Sequence, residues 1–596
     1  MSRGARRLRR VLTSAACILL ARQASAGITL DIEGVSDTLS HNVSAYLSLT
    51  PYRNRAVDQA TMDRLEERIG HETREALEPF GYYRAYVRYR VTRTAPGNWD
   101  VRIHIDPGPA VVVRSVEFSV VGPGRADPVF ERIVAHPLLA PGEQLLQASY
   151  EQMKSELETA ASTYGYLDAR LGAHRLIVDP RTLSARVILV MQSGVRYRFG
   201  STTIRQTVID EPLARRYLRY RKGDPYDETK LLSTEFALDD SNYFSTVVVQ
   251  PGAPDRIRHT VPVVIRARPN LRDLYSFSGG YGTDTGPRGT LQWSRTRIGT
   301  HGNRFGAQLE ASKLLQVLQA LYTVPIGDPA VDQLSIGATA DYGIPGSLID
   351  KDFAIGPTYT RVVGRWQYIF SVMPTHSITY DGISTQTQNL LIPSITIGSV
   401  PSGYLGQGLL QQGFVAQLRA GVNLGGVSDR FLQLHLTGEH TFDLAPEWHL
   451  ILRGEAGASL VGRLADLPGS LRFFAGGEGS VRGFVFDGLS PVAQTLNARG
   501  QRVFFQVGGR DVLTGSAEIV RDVTRRISLA TFADAGNAFD TFGRSGDPLY
   551  PQFIEYSAGV GLLWRLSVLT LGVDVAQPVS RPGAGPRFDV YFGPKL

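Results

Sequence analysis

The side chain with the most chemical consequence is Arg482, in the run 471–484, LRFFAGGEGSVRGF. A guanidinium is always charged and carries a rigid fork of donors with no acceptor. Here it stands between Val481 and Gly483, with Phe484 next and Phe473 and Phe474 upstream. That density of apolar side chains does not favour water, so the segment folds back into something. Wherever it tucks in, the arginine needs a partner. The chemistry is therefore charge pairing rather than catalysis. The eleven histidines fall in no HExxH pattern, and there is no serine elbow. His435 and His440, five apart on a strand, face opposite sides and do not share a metal readily. Gly477 and Gly479 lack a third glycine at the right offset and a following Lys-Ser or Lys-Thr, so no phosphate cradle forms. No enzyme, cofactor or metal site is read from this sequence.

The run is too glycine-rich for a helix and lacks the alternation of a strand, so it is a loop. The segments around it do alternate. Leu432, Leu434 and Leu436 interleave with Gln433, His435 and Thr437. Phe414, Ala416, Leu418, Ala420 and Val422 interleave with Gln417, Arg419 and Asn423. Leu569, Leu571, Val573 and Val575 interleave with Thr570 and Asp574. Charge recurs on the polar face of strands of about 10 residues, the length that crosses a bilayer as a tilted strand. About sixteen such strands are expected in 270–596, enough to leave a lumen for an infolded loop. On the strand 527–536, Leu529, Ala533 and Ala535 face one way, and Ser528, Phe532, Asp534 and Gly536 face the lumen. Glu518, beside Ser516 on the preceding strand, is a second lumenal acid.

A barrel must close by pairing its first and last strands. The first, around 275–281, holds Ser278, Gly279 and Gly280, all poor strand residues. The last, 587–596, carries Val590 and Phe592 and is then interrupted by Gly593 and Pro594. Only about six residues precede them, fewer than the ~9–11 that span the hydrocarbon. A weak seam that opens laterally is expected, and a disulfide between Ser278 and Val590 is expected to lock it.

Residues 27–269 repeat a pattern three times. Each unit opens on an apolar strand (Ile28–Ile32, Val113–Phe118, Tyr197–Ile204) and continues through a helical stretch (56–77, 145–164, 227–243). An aromatic turn follows, at Gly81-Tyr82-Tyr83, Gly165-Tyr166-Leu167 and Asn242-Tyr243-Phe244. The turns fall about 80 residues apart, the size of one small α+β module. Short connections such as Asp106-Pro107-Gly108-Pro109 imply a stiff array.

Net charge is +7, but six arginines (Arg3, Arg6, Arg7, Arg9, Arg10 and Arg22) lie in the first 26 residues, and without them the balance is +1. Nucleic acid is therefore not an expected partner. Residues 1–26 read as a secretory signal, with the apolar run Val11–Ala21 and Ala24-Ser25-Ala26 before the cut. The one cysteine, Cys17, lies inside it, so disulfides and cysteine–metal sites are excluded from the remainder. No other apolar run approaches the ~18 residues of a transmembrane helix.

The string GGxxSVRGF resembles the signature loop of the POTRA-plus-barrel outer-membrane insertase superfamily. The fuller LRFFAGG…SVRGF, with Gly279–Arg288, the F-x-D-x-G of Phe532–Gly536 and the ending Gly593–Leu596, is most similar to its TamA branch. The resemblance covers nearly all of 27–596 and is weakest across 315–405. It implies α+β POTRA modules at 27–108, 109–194 and 195–269, then a transmembrane antiparallel β-barrel at 270–596 with loop 462–510 folded inside. It implies that the signature residues Gly476, Gly477, Ser480, Val481, Arg482, Gly483 and Phe484 seat the loop. Arg482 would pair with Asp534, with Phe532 beside it and Phe473, Phe474 and Phe484 as its shield. On that reading, exchanging the charges of 482 and 534 restores the pair. The implied role is assembly of β-barrel or autotransporter clients in the outer-membrane bilayer of a Gram-negative bacterium. Periplasmic modules would receive the unfolded client or an elongated, TamB-like inner-membrane-anchored partner. Alternatives are a general BamA-like insertase, which usually has five modules, a two-partner secretion pore, and a passive diffusion porin.

Overall fold

A computed structural model describes residues 27–382, 384–399, 413–425, 430–496, 501–541, 553–567 and 569–594. The expected signal at 1–26, and Lys595 and Leu596 of the C-terminal motif, lie outside the described residues.

The first repeat forms a three-stranded sheet. Its opening strand Ile28–Glu33 runs parallel to the closing strand Asn98–Asp106, which pairs antiparallel with Tyr86–Ala95. The helix Gln59–Leu77 starts where Asp58 accepts the Thr61 N–H at 2.7 Å. It buries Met62, Leu65, Ile69, Ala76 and Leu77 against the sheet. It ends in the aromatic turn, where Gly81 takes φ +85°. The second repeat places Gly165 at φ +85° after its helix Gln147–Thr163. The third uses Asn242 at φ +60°, asparagine tolerating the left-handed region better than most residues. All three sheets put the closing strand in the centre. Each repeat also carries a short helix that the apolar pattern did not resolve: Asp37–Tyr46, Pro128–Ala135 and Glu211–Arg215.

The joints are stitched by polar contacts. Gln144 Nε2 donates to the Phe80 carbonyl (2.8 Å), and Arg84 Nη2 donates to that of Arg181 (2.8 Å). Farther on, Arg196 Nη1 pairs with Asp127 (2.9 Å), which also accepts the Tyr166 hydroxyl (2.7 Å). Burial, and then that hydrogen bond, push the Tyr166 phenol up to about 12, so it stays a donor at any physiological pH.

Sixteen antiparallel strands close into a barrel, from Asp273–Gly282 to Arg587–Pro594. The alternation is inverted relative to a soluble protein. Leu432 and Leu434 are 44% and 43% exposed on the outer face, while Gln433 between them is 1% exposed. That outer face suits hydrocarbon and the inner face suits a polar lumen. By packing, residues 202–221, 230–251 and 263 onward form one unit. Within it, Asp210 N–H bonds the Thr300 carbonyl (2.9 Å), the Tyr243 hydroxyl bonds that of Gly302 (2.5 Å), and Arg216 Nε bonds that of Gly327 (2.9 Å). Arg219 pairs with Asp328 beside them. These turns hold the third-repeat residues that belong to the barrel's own unit.

Candidate functional site in the barrel lumen and at its seam

Loop 462–510 leaves one strand at Val461 and re-enters the wall at Asp511. Two isolated bridges, Phe473 with Gly509 and Ala475 with Leu489, fold it on itself. Gly476 has φ +101°, and a Cβ there would sit 2.4 Å from the Val485 carbonyl oxygen, so only glycine makes this turn. Gly483, at φ +90°, lies against Ala576 of the wall. Between these glycines Ser480 closes the turn, its hydroxyl 3.4 Å from the Gly476 N–H, and Val481 is fully buried. Gly477 continues the turn at φ +92°.

This folding delivers Arg482, 2% exposed, onto three strands of one side of the wall. From Ile527–Phe539, Asp534 receives both the Arg482 backbone N–H (3.1 Å) and Nε (2.8 Å) at Oδ2, and Nη2 (3.0 Å) at Oδ1. From Asp511–Asp522, Glu518 Oε2 receives Nη1 (2.8 Å) and Ser516 Oγ receives Nη2 (3.2 Å). From Leu569–Pro578, Asp574 Oδ2 approaches Nη1 at 3.4 Å. Ser516 in turn donates to Asp534 (2.6 Å), its cross-strand neighbour in register. The guanidinium carbon lies 3.3 Å from the centre of the Phe532 ring. A fork shared by several charged acceptors and capped by an aromatic face is the environment that suits arginine and not lysine.

The structure thus brings Arg482 together with Asp534, Phe532 and Glu518. It adds Asp574 and Ser516, which alternation had placed on the polar faces of their strands but which nothing in one strand's pattern ties to the loop. The shield differs from expectation. Phe473 and Phe484 join a cluster with Ala475, Val481, Leu489, Val512 and Ala538, and Phe473 also meets His435 at 5.2 Å. Phe474 turns away to pack over Gly346 and Gly508, and Phe532 covers the arginine instead. A simple charge exchange between 482 and 534 also loses its rationale. An acid at 482 would face Glu518 and Asp574, which remain.

The seam is short. The first strand pairs with the second over its full length, Asp273↔Arg295 to Gly282↔Gly286. With the last strand it shares, among the described residues, two positions, Tyr281↔Phe592 and Gly282↔Tyr591. Ser278, Gly279 and Gly280 pair with Thr290, Gly289 and Arg288 on one side and have no register partner on the last strand among the described residues. Gly593 and Pro594 do not interrupt the last strand. It pairs with its predecessor through Gly593↔Thr570 and Pro594↔Leu569, because a terminal proline keeps an extended φ and an accepting carbonyl. The register also corrects the proposed lock. Val590 lies opposite Thr283, accepting its N–H at 3.0 Å, and not opposite Ser278.

Polar contacts gather at this end of the seam. Arg587 Nη2 meets Asp284 Oδ1 (2.5 Å), Thr283 Oγ1 donates to Asp589 (3.1 Å), and the Glu478 N–H of the loop donates to Asp284 (2.9 Å). The loop that carries Arg482 is thereby tied to the edge of the seam as well as to the wall.

Comparison with known proteins agrees with this geometry. Residues 410–593 match the family model of the Omp85 superfamily domain, and residues 29–107 match that of POTRA domain TamA domain 1. The outer membrane protein assembly factor BamA of Neisseria meningitidis serogroup B is 23% identical over 508 residues, covering 74% of this chain and 62% of that protein. The chain thus spans less than two thirds of that relative. The crystal structure of BamA from Haemophilus ducreyi lacking POTRA domains 1–3 superposes with a TM-score of 0.63 at 14% identity, over 81% of this chain and 99% of that one. CdiB from Acinetobacter baumannii gives a TM-score of 0.45 at 14% identity, over 82% and 90%. With its lipid-facing barrel and the modules ahead of it in sequence, the chain is an outer-membrane protein with periplasmic POTRA domains, and its residues 410–593 are similar to the Omp85 superfamily domain.

Proposed function

We propose that this protein assembles β-barrel or autotransporter clients in the outer membrane through its seam. The observation that carries this reading is the unpaired edge. Among the described residues, eight of the first strand, Asp273 to Gly280, present backbone donors and acceptors without a register partner on the last strand. Such an edge is a template for an incoming strand, and in hydrocarbon the drive to satisfy it is stronger than in water. The POTRA modules would receive the unfolded client or a TamB-like partner along their own free sheet edges. Arg482 would keep the loop seated in the lumen while the seam works, with Asp534, Glu518 and Phe532 as its sockets. The role is non-enzymatic and needs no cofactor.

Full-length protein in liposomes, offered a urea-unfolded outer-membrane barrel, tests the proposal. Client folding, followed by the shift in gel mobility of the unheated sample, is expected to run faster than in empty liposomes. A steady ion current with no acceleration of client folding would make the protein a diffusion pore. A second reading, a general BamA-like insertase, is favoured by the similarity to BamA, whereas the TamA-type POTRA match favours a TamA-like role. Capture by the full-length chain from solubilised membranes separates them. A single large inner-membrane-anchored protein supports the TamA-like role, and its absence from the capture supports the other.

A further inference from the structure

The barrel wall across from the seam is interrupted within one narrow band. Counted from the first strand, the sixth (Ile349–Val363), seventh (Trp366–Tyr380) and eighth (Thr385–Ser399) each contain 15 residues. Each has proline at its ninth position: Pro357, Pro374 and Pro393. Proline gives no ladder donor and is normally confined to sheet edges and bulges.

The ladders record the consequence. Pairing of the sixth and seventh strands runs to Ala354↔Thr375, stops, and resumes at Thr358↔Ser371 in the same register. The unpaired stretch holds Pro357 and Pro374. Pairing of the eighth strand with the ninth (Gly413–Asn423) stops after Leu391↔Val422 and resumes at Ser394↔Arg419, leaving out Pro393. Between the two breaks, the seventh and eighth strands pair without a gap from Trp366↔Ser399 to Tyr380↔Thr385. The arrangement is a stiff two-stranded leaf with an interrupted ladder on either side. At Gly356 a Cβ would lie 2.1 Å from the Val372 carbonyl oxygen, so the strands press together there without bonding. On the bilayer face a groove of about 480 Å³, lined by Pro357, Phe370, Val372, Pro393, Ile395 and Leu418, follows the same band.

Breaks of this kind are costly where no water can satisfy the backbone, and a cost kept in such a place points to use. The junction of the eighth and ninth strands is eight strands from the seam in either direction. A closed ring cannot part at one junction without bending at others, and bending concentrates where cross-links are missing. We infer that the Pro357–Pro374–Pro393 band is the hinge on which the wall bends when the seam parts. This rests on the lateral-seam reading above. The Arg482 sockets, on the twelfth, thirteenth and fifteenth strands, lie outside the bending zone, whereas the start of the same loop is bonded to it, Ser470 to Asp352 and Gly469 to Thr379.

The test uses the full chain in lipid nanodiscs, with spin labels at F277C on the first strand and F588C on the last, and a client present. The label-to-label distance distribution is compared with prolines in place and with P357V, P374V and P393V combined. With the prolines, a long-distance population is expected beside the closed one. Restoring ladder donors should shrink it by about fivefold or more. The single replacements, each expected to give a smaller loss, keep the test decisive if the triple variant does not fold. An open population unchanged in the singles and the triple overturns the hinge while leaving the seam intact. Absence of any open population with the native prolines overturns the lateral-seam reading itself, and the hinge with it.

Discussion

Two regions of one barrel are held in opposite ways. At the Arg482 socket, one side chain and its own N–H are bound by three carboxylates and a hydroxyl from three strands, all buried. At the seam, two whole strands are joined at two positions, with a stacked pair, Tyr281 and Phe592, on the outside. Strong, directional bonds fix the loop and weak ones close the wall. The contrast separates what must stay from what can move.

The largest expected effect comes from breaking the strong region. Replacing Arg482 by alanine leaves Asp534, Glu518 and Asp574 facing one another in a closed space, with Arg453, 3.6 Å from Glu518, as the nearest remaining cation of the cluster. Removing one partner of a buried ionic cluster costs ~3–5 kcal/mol. R482A is expected to lower the unfolding midpoint in denaturant and to abolish client assembly. R482K keeps the charge but not the fork, and should fall between. The double exchange R482D/D534R should not recover, which separates this socket from a simple ion pair. Recovery to wild-type assembly would show that Glu518 and Asp574 are bystanders.

Removing the ring under the guanidinium is the next step down. F532L should cost ~1–2 kcal/mol in the same denaturation measurement, the range for a desolvated cation–π contact. The weak region should respond with the opposite sign in function. Y281A removes the stacked pair across the seam, worth ~0.5–1.5 kcal/mol. It is expected to leave global stability nearly unchanged and to raise the rate of spontaneous seam opening, read as bursts in single-channel current. The smallest effect belongs to a surface pair. R102A, at an arginine whose side chain is 66% exposed beside Asp100 in the first module, should change stability by less than ~0.5 kcal/mol. A loss comparable to R482A would mean that burial is not what sets the scale.

Much of this was legible in the sequence because alternation is local. Leu432, Gln433 and Leu434 announce an outward apolar face by themselves, and the same rule put Phe532, Asp534 and Glu518 in the lumen. The three module turns are legible because each needs a residue that tolerates φ > 0. What could not be read depends on register. Asp574 joins the socket only because its strand lies two away from that of Asp534 in the closed ring. Val590 meets Thr283 and not Ser278 because the stagger of a barrel is a property of the whole circuit. The prolines at 357, 374 and 393 lie within 315–405, where the resemblance is weakest, and no single strand's pattern relates one to another. Only the paired ladders bring them within two residues of one level.

The central claim, that the wall opens between its first and last strands, is tested most directly by a matched pair of reversible locks. Y281C/F592C joins residues opposed across the seam, and F277C/L291C joins residues opposed on the other side of the same first strand. With both oxidised, client folding in liposomes is expected to stop in the seam lock, to resume on reduction, and to proceed unaffected in the control lock. Undiminished client folding by the oxidised seam lock would contradict the account.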